Sequence, residues 1–336
     1  HPIIKELEDS VAKFLHTKYA TTLNSCTDAL MLSLVAVGIK PGDEVITVPN
    51  SFIASVASIE HVGAKAVFVD VKDDHLINED LIEKSITEKT KAIMPVHLEG
   101  KMCNMKKIQQ IAKKYKLYVI EDAAQAFGST YDNQYPGKYS DVACFSFHPL
   151  KNLNAIGDGG LVVSNNFEIV EKINYLKNHG QKSRNNSIEF GFVSRLDSIQ
   201  AAILSVRLKY LPSIINRRRE NAKFYNQRLP SEMVKIPVCN PNVYHTYHLY
   251  VVEVKKRTEV MQYLKINGIE TKIHYPRLIV DQIAYKKKYP KLNLEIPNAR
   301  EQSKKILSLP VHQNLNRKQL NLLAEVVKRQ FKNCIY

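Results

Sequence analysis

Apolar and polar positions fall in alternating blocks along the first 165 residues. Strand-like runs occupy 17–24, 44–49, 64–71, 92–97, 117–122, 142–147 and 161–164, most of them rich in apolar residues. Between them lie stretches with helical spacing, at about 27–37, 52–62 and 105–115. The first of these stops at Gly38, and Pro41-Gly42 makes a turn before the next run. Runs without polar alternation predict strands buried on both faces, and the helices between them predict a mostly parallel sheet flanked by helices. From about Leu196 the texture changes. A long helical pattern runs through 200–211 and past Arg219, followed by a strand-like run at 247–254 and a helix at 258–266 closed by Gly268. The pattern predicts an α/β chain with a large domain at 1–212 and a smaller C-terminal α+β domain at 213–336. No internal repeat is visible.

Composition adds few constraints. The chain has 336 residues, 44% hydrophobic and 24% charged, enough for a large core. No apolar run approaches the roughly 18 residues of a membrane span, so no membrane partner is expected. The formal net charge of +15 raises the question of nucleic acid. The basic residues are scattered, however, as in 113-KKYK-116 and 286-KKK-288, and the densest cluster, 217-RRRE-220, ends in an acid. They predict a solvated, lysine-rich surface that attracts anionic small molecules, with no nucleic-acid partner. Five cysteines show neither a CxxC pair nor metal-ligand spacing, so no metal site is expected and a reducing compartment, the cytoplasm, is. The sequence opens on His1 rather than Met, so a short N-terminal piece is expected to be missing.

Candidate chemistry gathers where apolar runs give way to helices, since ligands of parallel sheets bind beyond the carboxyl ends of the strands. In 24-NSCTDAL-30, the main-chain N–H groups of Cys26 and Thr27 open a helix, a favourable place for a phosphate or simply an ordinary cap. In 120-IEDAAQAFG-128, Asp122 ends an apolar strand, where its carboxylate either holds a proton on a heterocyclic nitrogen or caps a helix. In 144-CFSFHPLKNLNAIGDGG-160, Lys151 precedes three glycines within four positions, which would let the backbone turn back toward the next strand. Lys151 is either a nucleophile whose pKa is lowered by its surroundings or a surface loop lysine. Taken together, a phosphate cradle, a carboxylate for a ring nitrogen and a lysine for an aldehyde complement pyridoxal 5'-phosphate.

With these stretches, and with 41-PGDEVITVPNSFIAS-55, 195-RLDSIQAAIL-204, 247-YHLYVV-252 and 273-IHYP-276 in matching order, the chain resembles the DegT/StrS-type nucleotide-sugar aminotransferases. The resemblance implies the aspartate-aminotransferase (type I) fold, a homodimer with active sites at the subunit interface, and pyridoxal phosphate bound by the large domain. It implies that Lys151 is the Schiff-base lysine and proton carrier and that Asp122 pairs with the pyridinium nitrogen. Gln125 would lie near the ring hydroxyl, Phe52 would stack on the ring, and Cys26, Thr27 and Ser146 would bind the phosphate. His148, His274, Tyr275 and Glu99 are candidate substrate contacts, and the histidines are otherwise structural; His312 also lies in a family-like stretch. The implied reaction moves an amino group from L-glutamate to the C3 or C4 keto group of a dTDP- or UDP-linked 6-deoxy-keto-hexose. The competing readings are a deoxysugar dehydratase of the same fold, in which histidine replaces the lysine, and a non-catalytic cofactor-binding regulatory protein.

Two positions depart from the family's pattern. An asparagine that reaches the partner subunit's phosphate is common two residues before Arg195, where this chain has Val193; either Ser194 compensates or one contact is lost. The residue after 97-HL-98, often Tyr or Thr, is Glu99, which either touches substrate or faces solvent.

Overall fold

The computed structural model describes residues 2–230, 232, 234–291 and 294–332. Eight strands form in the first half: β1 (Tyr19–Leu23), β2 (Glu44–Thr47), β3 (Lys65–Phe68), β4 (Thr90–Ile93), β5 (Tyr118–Asp122), β6 (Thr130–Tyr131), β7 (Val142–Ser146) and β8 (Gly160–Ser164). All but β6 join one seven-stranded sheet in the order β1-β8-β7-β5-β4-β2-β3. The five strands from β7 to β3 are parallel, whereas β8 runs antiparallel to both β7 and β1. Every residue of β2, β7 and β8 is buried, which is why these runs carry no polar alternation.

Helices α1 (Pro2–Phe14), α2 (Cys26–Ala36), α3 (Ile53–His61), α4 (Met105–Tyr115), α5 (Phe167–Leu176) and α6 (Ser198–Asn226) cover this sheet and lead out of it. The α4 bounds coincide with the helical stretch read from the sequence. Helix α1 is not among the predicted elements, although Leu7 and Val11 stand at helical spacing and bury against the residues lining α6. Most strands are shorter than the runs read from the sequence, β3 and β4 among them. β3 stops at Phe68, and β4 stops at Ile93, beyond which Pro95 supplies only a carbonyl, to Asp122 N–H at 2.9 Å.

The second half adds a hairpin of β9 (Gln181–Ser183) and β10 (Asn186–Ser187) and then a small sheet. Its strands are β11 (Val234–Lys235), β13 (Tyr250–Val254) and β14 (Ile306–Leu309), all antiparallel, while β12 (Val243–Tyr244) pairs with β6. Helices α7 (Arg257–Ile266), α8 (Ile283–Lys288), α9 (Pro297–Lys305) and α10 (Arg317–Lys332) complete it. Helix α6 carries Pro212 inside and connects two cores, one ending near Ile215 and the other starting at Ala222.

Not all of 213–336 packs as one unit. Leu278, Ile279, Val280, Tyr285, Ile296 and Ala299 return to the core under the large sheet. Their anchor is Asp70, whose two carboxylate oxygens accept the N–H groups of Asn298 and Ala299, each at 2.9 Å, at the start of α9. A carboxylate there satisfies donors the helix cannot and complements its dipole. Asp70→Ala should therefore cost about 1–3 kcal/mol in urea unfolding; an unchanged midpoint would show that apolar packing alone holds α9.

Candidate active site

The carboxyl ends of the parallel strands converge on Asp122, the last residue of β5. It is 5% exposed, and each of its oxygens has a donor: Ser55 Oγ at 2.6 Å and Ala124 N–H at 3.1 Å. Ser51 Oγ in turn donates to Ser55 Oγ at 3.0 Å. These two serines were not singled out in the sequence; Ser55 lies in the first turn of α3 and Ser51 just before its N-cap residue, Phe52, a partnership no local pattern announces.

Next to this carboxylate, β8 meets the start of α2. A β-carbon on Gly160 would lie 2.2 Å from Ser25 O and 2.8 Å from Cys26 N, so only glycine permits the contact. Ser146 pairs with Gly160 across β7 and β8, which brings its hydroxyl to the same corner. Cys26 and Thr27 open α2, where N–H groups lack intrahelical acceptors; Ser25 caps the helix by accepting Asp28 N–H at 3.1 Å.

Lys151 sits in the loop between those strands, its N–H donating to His148 O at 2.9 Å. Burial lowers its pKa below the usual lysine value, and the neighbouring Cys26 and Asp122 only partly restore it. Gly157, Gly159 and Gly160 lie where the loop turns back to β8, with Gly159 O accepting Phe147 N–H at 2.8 Å, and none of them has a positive φ. They are needed for space: a β-carbon would meet Gln200 at 2.7 Å, Leu196 at 2.8 Å and Ser25 at 2.2 Å respectively. After Lys151, Asn152 is buried with its Nδ2 on Thr246 O at 3.3 Å and its Oδ1 without a hydrogen-bond partner among the described residues.

Gln125 and Phe52 stand at the mouth. Gln125 Nε2 donates to Tyr275 Oη at 3.3 Å, and Phe52, 56% exposed, lies 5.7 Å from the Tyr275 ring at 41°. Both rings border an open cleft of about 290 Å³ that Ser51, Arg277 and Gln282 also line.

Residues 1–328 match the model of the DegT/DnrJ/EryC1/StrS aminotransferase family. The chain belongs to that family. It is 39% identical to the dTDP-3-amino-3,6-dideoxy-alpha-D-galactopyranose transaminase of Aneurinibacillus thermoaerophilus, over 97% of this chain and 89% of the relative. It is 37% identical to a pleiotropic regulatory protein of Geobacillus stearothermophilus, over 98% and 90% of the two chains. The crystal structure of S. venezuelae DesV in complex with a ketimine intermediate superposes with a TM-score of 0.95 at 36% identity, covering 98% of this chain and 89% of that one. The residues present fit pyridoxal phosphate. Gly160 leaves the N-terminus of α2 open as an anion cradle, a doubly anchored carboxylate faces the site, and the nearby lysine is less basic than usual.

The positions that depart from the family's pattern are both buried in polar contacts or at the surface. Val193 is exposed. Ser194 is fully buried and donates its hydroxyl to Asn24 Oδ1 at 3.0 Å. Glu99 does not face solvent. It is 3% exposed, and its carboxylate lies between His75 Nδ1 (2.6 Å) and Lys101 Nζ (2.7 Å).

The histidines separate. His274 lines a small pocket with Glu99 and Tyr275 and shares a 2.8 Å hydrogen bond with Ser308, and burial followed by the charge of Lys151 lowers its pKa. His148 is exposed and accepts Leu150 N–H at 3.2 Å. His312 gives its carbonyl to Asn221 Nδ2 on α6 at 2.9 Å. His248, not singled out in the sequence, is held neutral by burial and then by Lys151.

The Glu99 cluster fixes a pH profile. Burial would raise the pKa of Glu99, but Lys101 and His75 hold it at about 2, against a usual 4.5. Burial would lower that of His75, but Glu99 and Glu253 raise it above the usual 6.5. Glu99 thus contributes stability that is present above 4.5 and lost as pH falls toward about 2, whereas the His75 contribution is complete below 6.5 and fades as pH rises through its raised pKa. Urea unfolding across this range should show both limbs in the wild-type protein, and Glu99→Gln should flatten the acid limb. An acid limb unchanged in that variant would mean other carboxylates govern it.

Proposed function

We propose that this chain is a pyridoxal-phosphate-dependent aminotransferase that moves the amino group of L-glutamate to the C3 or C4 keto carbon of a dTDP- or UDP-linked 6-deoxy-keto-hexose. One observation carries the reading: a lysine made less basic by burial shares one corner of the sheet with a fixed carboxylate and an open helix N-terminus. When bound, the cofactor supplies an electron sink for the pair left on the donor's α-carbon.

The chain's own residues do the rest. The N–H groups of Cys26 and Thr27 and the hydroxyls of Thr27 and Ser146 hold the phosphate, with the helix dipole aligned to it. Asp122, kept in place by Ser55 and Ala124, holds the proton on the ring nitrogen, because an adjacent anion favours the charged base. Gln125 would lie near the ring hydroxyl and Phe52 would stack on the ring face. Lys151 Nζ would bind the cofactor's aldehyde and, once free, would take the proton from the donor's α-carbon and, in the second half-reaction, give one to the acceptor carbon. The cleft beside Phe52 and Tyr275 receives the nucleotide sugar, and His274, which lines the small pocket that shares Tyr275 with it, and His148 are its candidate contacts. Glu99 leaves the substrate set, since its carboxylate is already engaged.

A second copy of the chain completes the site in this reading. Leu150, Ile156, Phe190, Phe192, Val193 and Ile199 are exposed around the lysine loop and the β9–β10 hairpin, apolar surface that a homodimer would cover. The cytoplasm remains the proposed compartment, with Cys26, Cys103, Cys144 and Cys239 all free, and no nucleic-acid partner is proposed. No helix among the described residues is long and apolar enough to cross a membrane. The regulatory reading is favoured only by the printed names of relatives such as the Geobacillus protein.

An absorbance spectrum with added pyridoxal phosphate, before and after L-glutamate, separates the readings. The wild type should show a near-visible band that glutamate moves to shorter wavelength. Lys151→Ala should lose the band and nearly all turnover; Asp122→Ala should bind cofactor yet turn over roughly a hundredfold more slowly. A band indifferent to glutamate favours regulation or another donor, and no band at all removes Lys151 from its role.

A further inference from the structure

Five charged side chains run from the edge of the site to the small sheet. Lys101 Nζ lies 2.7 Å from Glu99 Oε2 and donates to Asp74 O at 2.7 Å. His75 gives Nδ1–H to Glu99 Oε1 at 2.6 Å and faces Glu253 Oε1 on β13 with Nε2 at 3.4 Å. Lys235 on β11 closes the row at 2.8 Å from Glu253 Oε1. Lys101, Glu99 and His75 are 1%, 3% and 6% exposed. Taking charges out of water is costly, and apolar side chains of similar volume often pack at least as stably, so the row needs another reason to exist.

The backbone of Glu99 supplies one. Its φ is +66° and ψ −3°, a left-handed conformation unfavourable for a residue with a β-carbon. In that posture its N–H points at Gln125 Oε1 at 2.7 Å, and its carbonyl accepts Leu249 N–H at 3.1 Å. Because the amide oxygen of Gln125 is occupied, its NH₂ group must face the other way, where it meets Tyr275 Oη. The side chain of Glu99 is thereby clamped from both ends, and its backbone decides how Gln125 is turned.

We infer that Glu99 and His75 are positioning residues for the amino-transfer reaction, fixing the Gln125 amide with its NH₂ toward the cofactor's ring hydroxyl. The inference rests on the function proposed above. Neither residue touches the reacting atoms; each acts through Gln125. The groups that face the pair are Lys101, Glu253 and, through Glu253, Lys235; His274, His245 and Cys239 feel the charge of Glu99 from their own segments.

The test reads the pH at which the absorbance band of the cofactor-loaded protein changes, in the wild type, Glu99→Gln, Gln125→Leu and the double variant. A donor to the ring oxygen stabilises its anion and lowers that pH, so losing the donor should raise it, by about half a unit or more. Removing the Glu99 charge acting directly should instead lower it, since a nearby anion favours the protonated form. Expected are upward shifts in both single variants and no further shift in the double, the signature of residues acting along one path. His75→Gln, which retains a donor, should give a smaller upward shift and stands in where Glu99→Gln does not fold. Additive shifts, a downward shift, or a lowered melting temperature with an unmoved transition would overturn the inference. A wild type that forms no band would instead sink the cofactor reading itself, and this inference with it.

Discussion

A β-carbon at residue 160 would lie 2.2 Å from the Ser25 carbonyl oxygen, so β8 and α2 reach their present separation only because that position is glycine. Much of the site hangs on this contact. Ser146 is registered opposite Gly160, and the loop carrying Lys151 must leave β7 and re-enter at β8 within the same small space. Phe147 N–H on Gly159 O at 2.8 Å and Ala155 N–H on Phe147 O at 2.8 Å fold that loop back on itself. The lysine is consequently half-buried beside the sheet edge, and burial is the largest influence on its pKa.

The same edge carries two buried carboxylate–histidine pairs, and they bracket Asp122. His97 Nε2 donates to Glu121 Oε2 at 2.6 Å, directly before Asp122 in sequence, and His75 faces Glu99 on the far side of Gln125. Glu121 also accepts Gly137 N–H at 2.7 Å, so a side chain on the opposite face of β5 from Asp122 fixes the end of that strand. Buried charges of this kind rarely add net stability, but they permit few alternative arrangements, and a site that must hold a planar ring benefits from rigid walls.

The cleft depends on a segment that travels. Leu278, Ile279, Val280, Tyr285, Ile296 and Ala299 pack into the core under the large sheet, with Asp70 holding the start of α9. Tyr275 lies just before this segment, where it meets both Phe52 and Gln125. The wall of the cleft is thus joined to the large domain's core although its sequence lies in the C-terminal part of the chain.

The strands of the large sheet with α2, α3 and α4 between them, the ends of α4, and the placement of Asp122 at the end of β5 and of Lys151 in the loop between β7 and β8 were legible in the sequence. These follow from local periodicity and from the turn chemistry of Gly and Pro, which act over a few residues. Helix α1 was equally legible in principle, through Leu7 and Val11, but a first turn without acids or a sequence cap gave it little emphasis. What only the tertiary structure decided are partnerships over long separations: Ser55 with Asp122, Ser194 with Asn24, Glu99 with His75 and, through it, Glu253. The role of the three glycines belongs here too, since the obstacle each avoids comes from another element. Periodicity fixes which face a side chain takes, whereas the atom it meets there is set by the packing of segments that the local pattern does not relate.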